Sequence, residues 1–175
     1  GSHSVFKMLN KRNSRLLANN IQSAAEQLDF KNFILFNDSS MFLGLHLKSF
    51  LKPEVYVYYI RDYLIKVNYW KQHGEPIEPQ LIKAADVIVN NSTLYTEYGS
   101  EHNPNSFMVG QGCDVSLFND EDNAIKIPDE FQKIPKPVIG YVGYLTSMRL
   151  DIELLEFMAN QRKDWSIVLV GPEDD

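Results

Sequence analysis

Asp62 stands two residues beyond Val55-Tyr56-Val57-Tyr58-Tyr59-Ile60, a β-branched and aromatic run that reads as a strand. In an open parallel sheet, ligands bind beyond the carboxyl ends of the strands. A carboxylate there can orient or deprotonate a hydroxyl group. Its alternative uses are capping a turn or pairing with Arg61. Gly143 and Gly171 close two later apolar runs, Val138–Val142 and Ser166–Val170. Arg149 falls in the first turn of a helix expected over residues 148–161. A cation there opposes the helix macrodipole unless an anion lies between them, which is how phosphate binds at helix starts. The alternative is an exposed arginine tolerated by nearby Asp151 and Glu153. Asp114, after Gln111-Gly112-Cys113, suits a tight turn held by backbone N–H donors. His46, His73 and His102 have no ligand-like spacing with Cys113 or with carboxylates, so no structural metal is expected. No Ser-His-Asp arrangement or Walker loop is visible.

The elements that must position these residues alternate between strand and helix. Leu17, Ile21, Ala24, Ala25 and Leu28 predict an amphipathic helix over about residues 14–28. Residues 33–36 read as a strand buried on both faces, followed by capping residues and a helix over 41–50 that Pro53 breaks. Residues 81–85 end a further helix and 87–89 form a strand. Ser92 starts a helix that Gly99 ends, and 107–109 form another strand. Residues 119–137 are acidic, hold Pro128, Pro135 and Pro137, and read as a linker. This pattern predicts an α/β fold, a Rossmann-like parallel sheet flanked by helices. The piece at 138–175 is one βαβ unit, too small to hold a core alone.

Hydrophobic residues make up 44% of the 175, and the single cysteine excludes an internal disulfide framework and fits a reducing, cytoplasmic compartment. The net charge of -6 is local to residues 120–122 and 173–175, which argues against a nucleic-acid partner. Lys7, Lys11, Arg12 and Arg15 form the one basic cluster. It reads either as a solvated helix face or as a peripheral contact with acidic lipid. Gly1-Ser2-His3 reads as a tag scar.

The segments, taken in order, resemble the crossing between the two domains of a GT-B glycosyltransferase of the family-4 (group 1) type. Tyr59 to Tyr63 is similar to the family's Y-x-x-D segment, although Tyr63 stands where a second acid is common. Glu78, Leu81, Ala85, Asp86, Val87, Ile88 and Ser92 match an architectural pattern. Gly112-Cys113-Asp114 with Phe118 resembles N-G-[VC]-D-x3-F, with Gln111 in place of Asn. Pro137 to Gly143 and Val170-Gly171-Pro172 resemble P-x-I-G-Y-x-G and V-G-P. Tyr144 replaces the basic residue usual after that first glycine. The resemblance implies that residues 4–118 are the latter part of an acceptor-side domain and 138–175 the start of a donor-binding domain.

It further implies a metal-independent transferase, without a cofactor, that uses a nucleotide-sugar donor and a saccharide or lipid-linked acceptor. The setting would be cell-surface polysaccharide synthesis, in the cytoplasm or at the inner membrane face. Asp62 would be its catalytic residue, orienting or deprotonating the acceptor hydroxyl, and Gly143, Arg149 and Gly171 would border the donor phosphates. The family's Gly-rich acceptor loop and its E-x7-E donor segment are not in this sequence, as truncation of a longer parent would produce. Such a fragment is expected to be inactive alone and to self-associate. A nucleotide-sugar epimerase of the same fold and a non-catalytic α/β binding module are the alternatives.

Overall fold

A computed structural model describes residues 3–118 and 127–173. The chain divides into two compact units, Gly1–Cys113 and Asp114–Asp175. Gly1 and Ser2 of the expected tag scar, and residues 119–126 of the expected linker, lie outside the described residues. In the rest of that linker, Asp129–Gln132 forms a single helical turn, α6.

The first unit is a parallel sheet of four strands in chain order: β1 (Ile34–Asp38), β2 (Val55–Ile60), β3 (Val87–Asn90) and β4 (Ser106–Met108). Helix α1 (His3–Gln27) precedes it. Helices α2 (Met41–Gly44) and α3 (Leu47–Leu51) join β1 to β2, α4 (Asn68–Ala84) joins β2 to β3, and α5 (Thr93–Ser100) joins β3 to β4. A right-handed crossover that always steps in the same direction puts its helix on the same side of the sheet. The core obeys this rule. Tyr56, Tyr58, Ile60 and Ile88 point to one face and pack on Met41, Ile65, Leu81, Ile82 and Ala85 from the connections. Leu35, on that same face, also meets the cluster of Ala18, Leu47 and Leu51 that seats α1.

The other face carries the registered rows Ile34–Val55, Phe36–Val57–Val87 and Tyr59–Val89–Phe107. Ile34, Phe36 and Phe107 are 64%, 56% and 54% exposed. The expectation that the first strand is buried on both faces is therefore corrected. Its apolar residues on the second face have no connecting helix above them, because the crossover helices fall on the first; only the end of α1 comes near, where Ile21, Ala24, Ala25 and Leu28 line a groove with Ile34 and Phe36.

Three boundaries also change. Helix α1 begins at His3, well before residue 14. Its packed stripe continues upstream through Asn10 and Ser14, polar residues whose burial a hydrophobic pattern cannot show. Each has a partner: Asn10 Nδ2 donates across to the Phe42 carbonyl of α2 at 2.7 Å, and Ser14 Oγ to the Asn10 carbonyl of its own helix at 2.9 Å. The helix expected over 41–50 is two short helices, parted at Leu45 and His46. Gly44, the last residue of α2, is packed too closely for a side chain, which would collide with the Asn37 amide and the Tyr56 hydroxyl. Helix α4 holds Pro76 and Pro79 in its interior; each frees the carbonyl four residues back, and Gln72 and Glu75, which carry those carbonyls, are exposed.

The second unit pairs β5 (Val138–Val142) with β6 (Ser166–Val170) in parallel, joined through α7 (Ile152–Gln161). No described residue in it is fully buried. Ile152, Leu154 and Phe157 of α7 are 44%, 52% and 60% exposed, as expected of a βαβ unit too small for a core.

A buried polar knot of the first unit centres on Tyr56. Its hydroxyl accepts from Asn37 Nδ2 and donates to the Gly44 carbonyl, both at 2.8 Å. Burial pushes its pKa up to about 12, although the Asn37 hydrogen bond pulls the other way. Tyr56→Phe strands the buried carbonyl and should cost about 1–3 kcal/mol in urea denaturation. A loss well under that range would mean water replaces the hydroxyl.

Candidate functional site

The loops at the carboxyl ends of the strands are tied to one another. After β1, Ser39 adopts φ 57°. Its N–H donates to the Tyr59 carbonyl at 3.1 Å, and its hydroxyl accepts from the Arg61 N–H at 3.4 Å. After β3, Asn91 Nδ2 donates to the Arg61 carbonyl at 2.9 Å. The backbone of Arg61 is thus held from both neighbouring strands.

Its guanidinium is shared between two carboxylates. Arg61 Nη1 donates to Asp38 Oδ2 at 3.0 Å, and Nε lies 3.5 Å from Asp62 Oδ2. The Asp62 side chain is 63% exposed. The next residue anchors the loop: the Tyr63 ring packs 5.9 Å from Tyr95 and 5.8 Å from Tyr98, with Lys66 Nζ 5.5 Å above it. The Leu64 N–H donates to the Asp62 carbonyl at 2.9 Å and starts the turn Leu64–Lys66. The result is an exposed Asp38–Arg61–Asp62 cluster with carboxylate acceptors flanking one cation. That arrangement can accept hydrogen bonds from vicinal hydroxyls. Sequence reasoning found Asp62 and its Arg61 contact but missed Asp38, which reads as a capping residue before the helix and instead ends β1.

Below this edge lies an acid that sequence reasoning treated as architectural. Glu78 is 1% exposed. It accepts from the Tyr58 hydroxyl at 2.8 Å and from the Tyr98 hydroxyl at 3.3 Å. Burial raises its pKa, and the two tyrosine hydrogen bonds oppose that rise. Asp86 has the opposite balance. Lys48 Nζ at 2.6 Å and the Tyr56 N–H at 2.8 Å hold its pKa below the ordinary value. Ser92 caps α5 as expected, accepting from the Tyr95 N–H at 3.3 Å.

In the second unit, Gly143 and Gly171 meet. The Gly143 N–H donates to the Val170 carbonyl at 2.9 Å, and the Leu145 N–H to the Pro172 carbonyl at 2.7 Å. Gly171 has φ 153°, and a side chain on it would collide with the Gly143 carbonyl. Gly143 in turn lies against the Tyr141 ring, so both glycines serve close packing at the carboxyl ends of β5 and β6. Asp114 holds its loop as expected, accepting from the Ser116 hydroxyl at 2.6 Å and the Ser116 N–H at 3.0 Å, both of which lower its pKa.

The placement of Arg149 at a helix start is corrected. Its N–H and that of Leu150 both donate to the Thr146 carbonyl at 2.9 Å, closing a separate turn. Helix α7 begins at Ile152, and Asp151 is its N-cap, accepting from the Leu154 N–H at 2.9 Å. A carboxylate already fills the place that the macrodipole offers an anion. Arg149 is exposed on the turn before it.

Among the described residues, no group of three or more His, Cys, Asp or Glu could hold a metal ion. No described helix is long and apolar enough to cross a membrane.

The two buried or paired acids should give opposite pH signatures. Glu78 binds protons more readily folded than unfolded. Its contribution is full below the ordinary Glu pKa and is lost as pH rises through its raised folded value. Asp86 contributes above the ordinary Asp pKa and loses that contribution as pH falls through its lowered folded value. Urea midpoints measured from about pH 3 to pH 8 should show Glu78→Gln removing a decline on the alkaline side and Asp86→Asn removing one on the acid side. Identical profiles for both variants and the parent would contradict these environments.

No protein-family model and no curated protein matches this chain.

Proposed function

We propose that this chain is a piece of a GT-B glycosyltransferase that moves a sugar from a nucleotide-sugar donor to a saccharide or lipid-linked acceptor. One observation carries the reading. The segments on which the resemblance rests fall at the carboxyl ends of parallel strands: Asp62 beyond β2, Gly143 after β5 and Gly171 after β6. Those are the ends at which open α/β sheets bind ligands.

In this reading, the Asp62 carboxylate accepts the proton of the attacking acceptor hydroxyl, or orients that hydroxyl. Arg61 holds the carboxylate at the end of β2, and Asp38 keeps the guanidinium in place from the other side. Gly143 and Gly171 let the carboxyl ends of β5 and β6 close on one another and on the Tyr141 ring, which sets the edge at which a diphosphate would lie. Arg149, free of a helix-start role, contributes as a long cation reaching phosphate from its exposed turn.

The test uses the full-length parent protein, a panel of nucleotide sugars and an assay for released nucleoside diphosphate. Asp62→Asn should lower turnover at least about tenfold with an unchanged thermal midpoint, and Arg149→Ala should raise the donor dissociation constant. No diphosphate release with any donor would sink the transferase reading. Interconversion of the sugar without transfer, seen by product analysis, would favour an epimerase. A collapsed thermal midpoint with normal activity per folded molecule would make Asp62 structural.

A further inference from the structure

Beside the charged cluster, the carboxyl edge of the sheet opens into a pocket of about 400 Å³. It forms where the first turns of α1, α2 and α4 meet, with Phe6, Phe42 and Trp70 among its walls. Ser40, which also lines it, lies two residues beyond Asp38. Two residues of chain span at most about 7 Å, so the pocket adjoins the Asp38–Arg61–Asp62 cluster.

The walls are rings held in place by one another. Phe42 stacks on Trp70 with centroids 5.1 Å apart, and Phe6 meets Phe42 edge-on at 5.3 Å. His73 stacks on Phe6 at 3.9 Å. Tyr69, 78% exposed, meets Trp70 edge-on at 5.2 Å and carries the aromatic surface outward.

The polar groups of the pocket are neutral and uncommitted. Asn10 is 5% exposed; its Nδ2 donates to the Phe42 carbonyl, and its Oδ1 accepts no hydrogen bond among the described residues. The side chains of Asn13 and Ser40 and the indole N–H of Trp70 likewise make none. No Lys, Arg, Asp or Glu lines the pocket. A nearly buried acceptor oxygen discriminates among ligands. It repels a phosphate or carboxylate, and a hydrocarbon chain leaves it unpaired, whereas a hydroxyl satisfies it. Apolar walls with a few placed polar groups suit a ligand that is apolar on its faces and polar at its rim. A pyranose is such a ligand: its ring faces present C–H groups and its hydroxyls point outward.

We propose that this pocket binds an uncharged pyranose and is the acceptor subsite beside Asp62. The sugar lies against the aromatic walls. Its hydroxyls donate to Asn10 Oδ1 and exchange hydrogen bonds with Asn13, Ser40 and the Trp70 N–H. The hydroxyl to be glycosylated, on this unit or on the one joined to it, faces the Asp38–Arg61–Asp62 cluster. The reacting end of the acceptor is then a neutral saccharide. Its role as acceptor rests on the transferase reading; the binding of a sugar does not.

The test is NMR titration of this chain with methyl glycosides of glucose, galactose, mannose, rhamnose and N-acetylglucosamine, with glucuronate and decanol as charged and apolar probes. Binding is read by saturation transfer to the ligand and by the indole resonances. At least one glycoside should saturate at concentrations on the order of millimolar. It should shift the indole N–H resonance of Trp70 and leave that of Trp165, the second of the two tryptophans, in place. Asn13→Ala, Ser40→Ala and Trp70→Phe should each weaken binding about threefold to tenfold, the worth of a neutral hydrogen bond. Phe107→Ser, on the bare sheet face, should leave it unchanged. Asn13 and Ser40 are exposed and Trp70→Phe keeps a ring against Phe42, so the fold is retained, which circular dichroism checks. Failure of every glycoside to bind overturns the proposal. So does binding that Asn13→Ala and Ser40→Ala leave unchanged, and so does tighter binding of decanol or glucuronate than of any glycoside. Sugar binding here, in a parent protein that releases no diphosphate, would sink the transferase reading alone. Diphosphate release by the parent, with no glycoside bound here, would sink this proposal alone.

Discussion

Four parallel strands laid side by side in chain order leave their connecting helices no choice of side. Each step moves the same way across the sheet, so right-handed crossovers bring every connecting helix to one face, where the core is found. From that constraint follow the position of the core, the tilt of the loops toward a common edge and the bare apolar rows on the second face. A sheet that reversed its direction of growth would distribute helices to both sides and would open a crevice at the reversal. Among the described strands there is no reversal, so the candidate edge consists of neighbouring loops tied together in sequence: Ser39 to Arg61, and Arg61 to Asn91.

The helix-covered face is not a simple hydrocarbon layer. Tyr56 and Tyr58, both essentially inaccessible, project hydroxyls into the core and find Asn37, Gly44 and Glu78 there. Such knots fix register, because a slip of one residue would leave each of these polar atoms unpaired. They also rigidify the strand ends from which Asp38 and Arg61 project. The polar core and the exposed charged cluster are thus two consequences of the same alternation along β2.

Much of this was legible in the sequence. The α/β class, all six strands, the Ser92 cap and the loop-holding role of Asp114 follow from local pattern and turn chemistry. The missing parts have specific causes. Asn10 and Ser14 carry the buried stripe of α1 in polar residues, so hydrophobic periodicity stopped short of the true helix start. Ile34 and Phe36 look like core because an apolar run does not say whether a second helical layer exists. Arg149 was assigned to the wrong turn because Asp151, a better cap, lies two residues on. Asp38 joined the site only when β1 and β2 were placed in register, with Asp38 opposite Tyr59. That is long-range information no single segment contains.

The one-sided sheet is the claim on which the rest leans, and hydroxyl-radical footprinting of this chain, read by peptide mass spectrometry, tests it most directly. Phe36 and Phe107 should be modified readily while Tyr56 and Tyr58, on the helix-covered face of the same sheet, stay protected. Equal protection of the two sets in a monomeric sample would contradict the account, since it would mean that a second layer covers the face described here as bare.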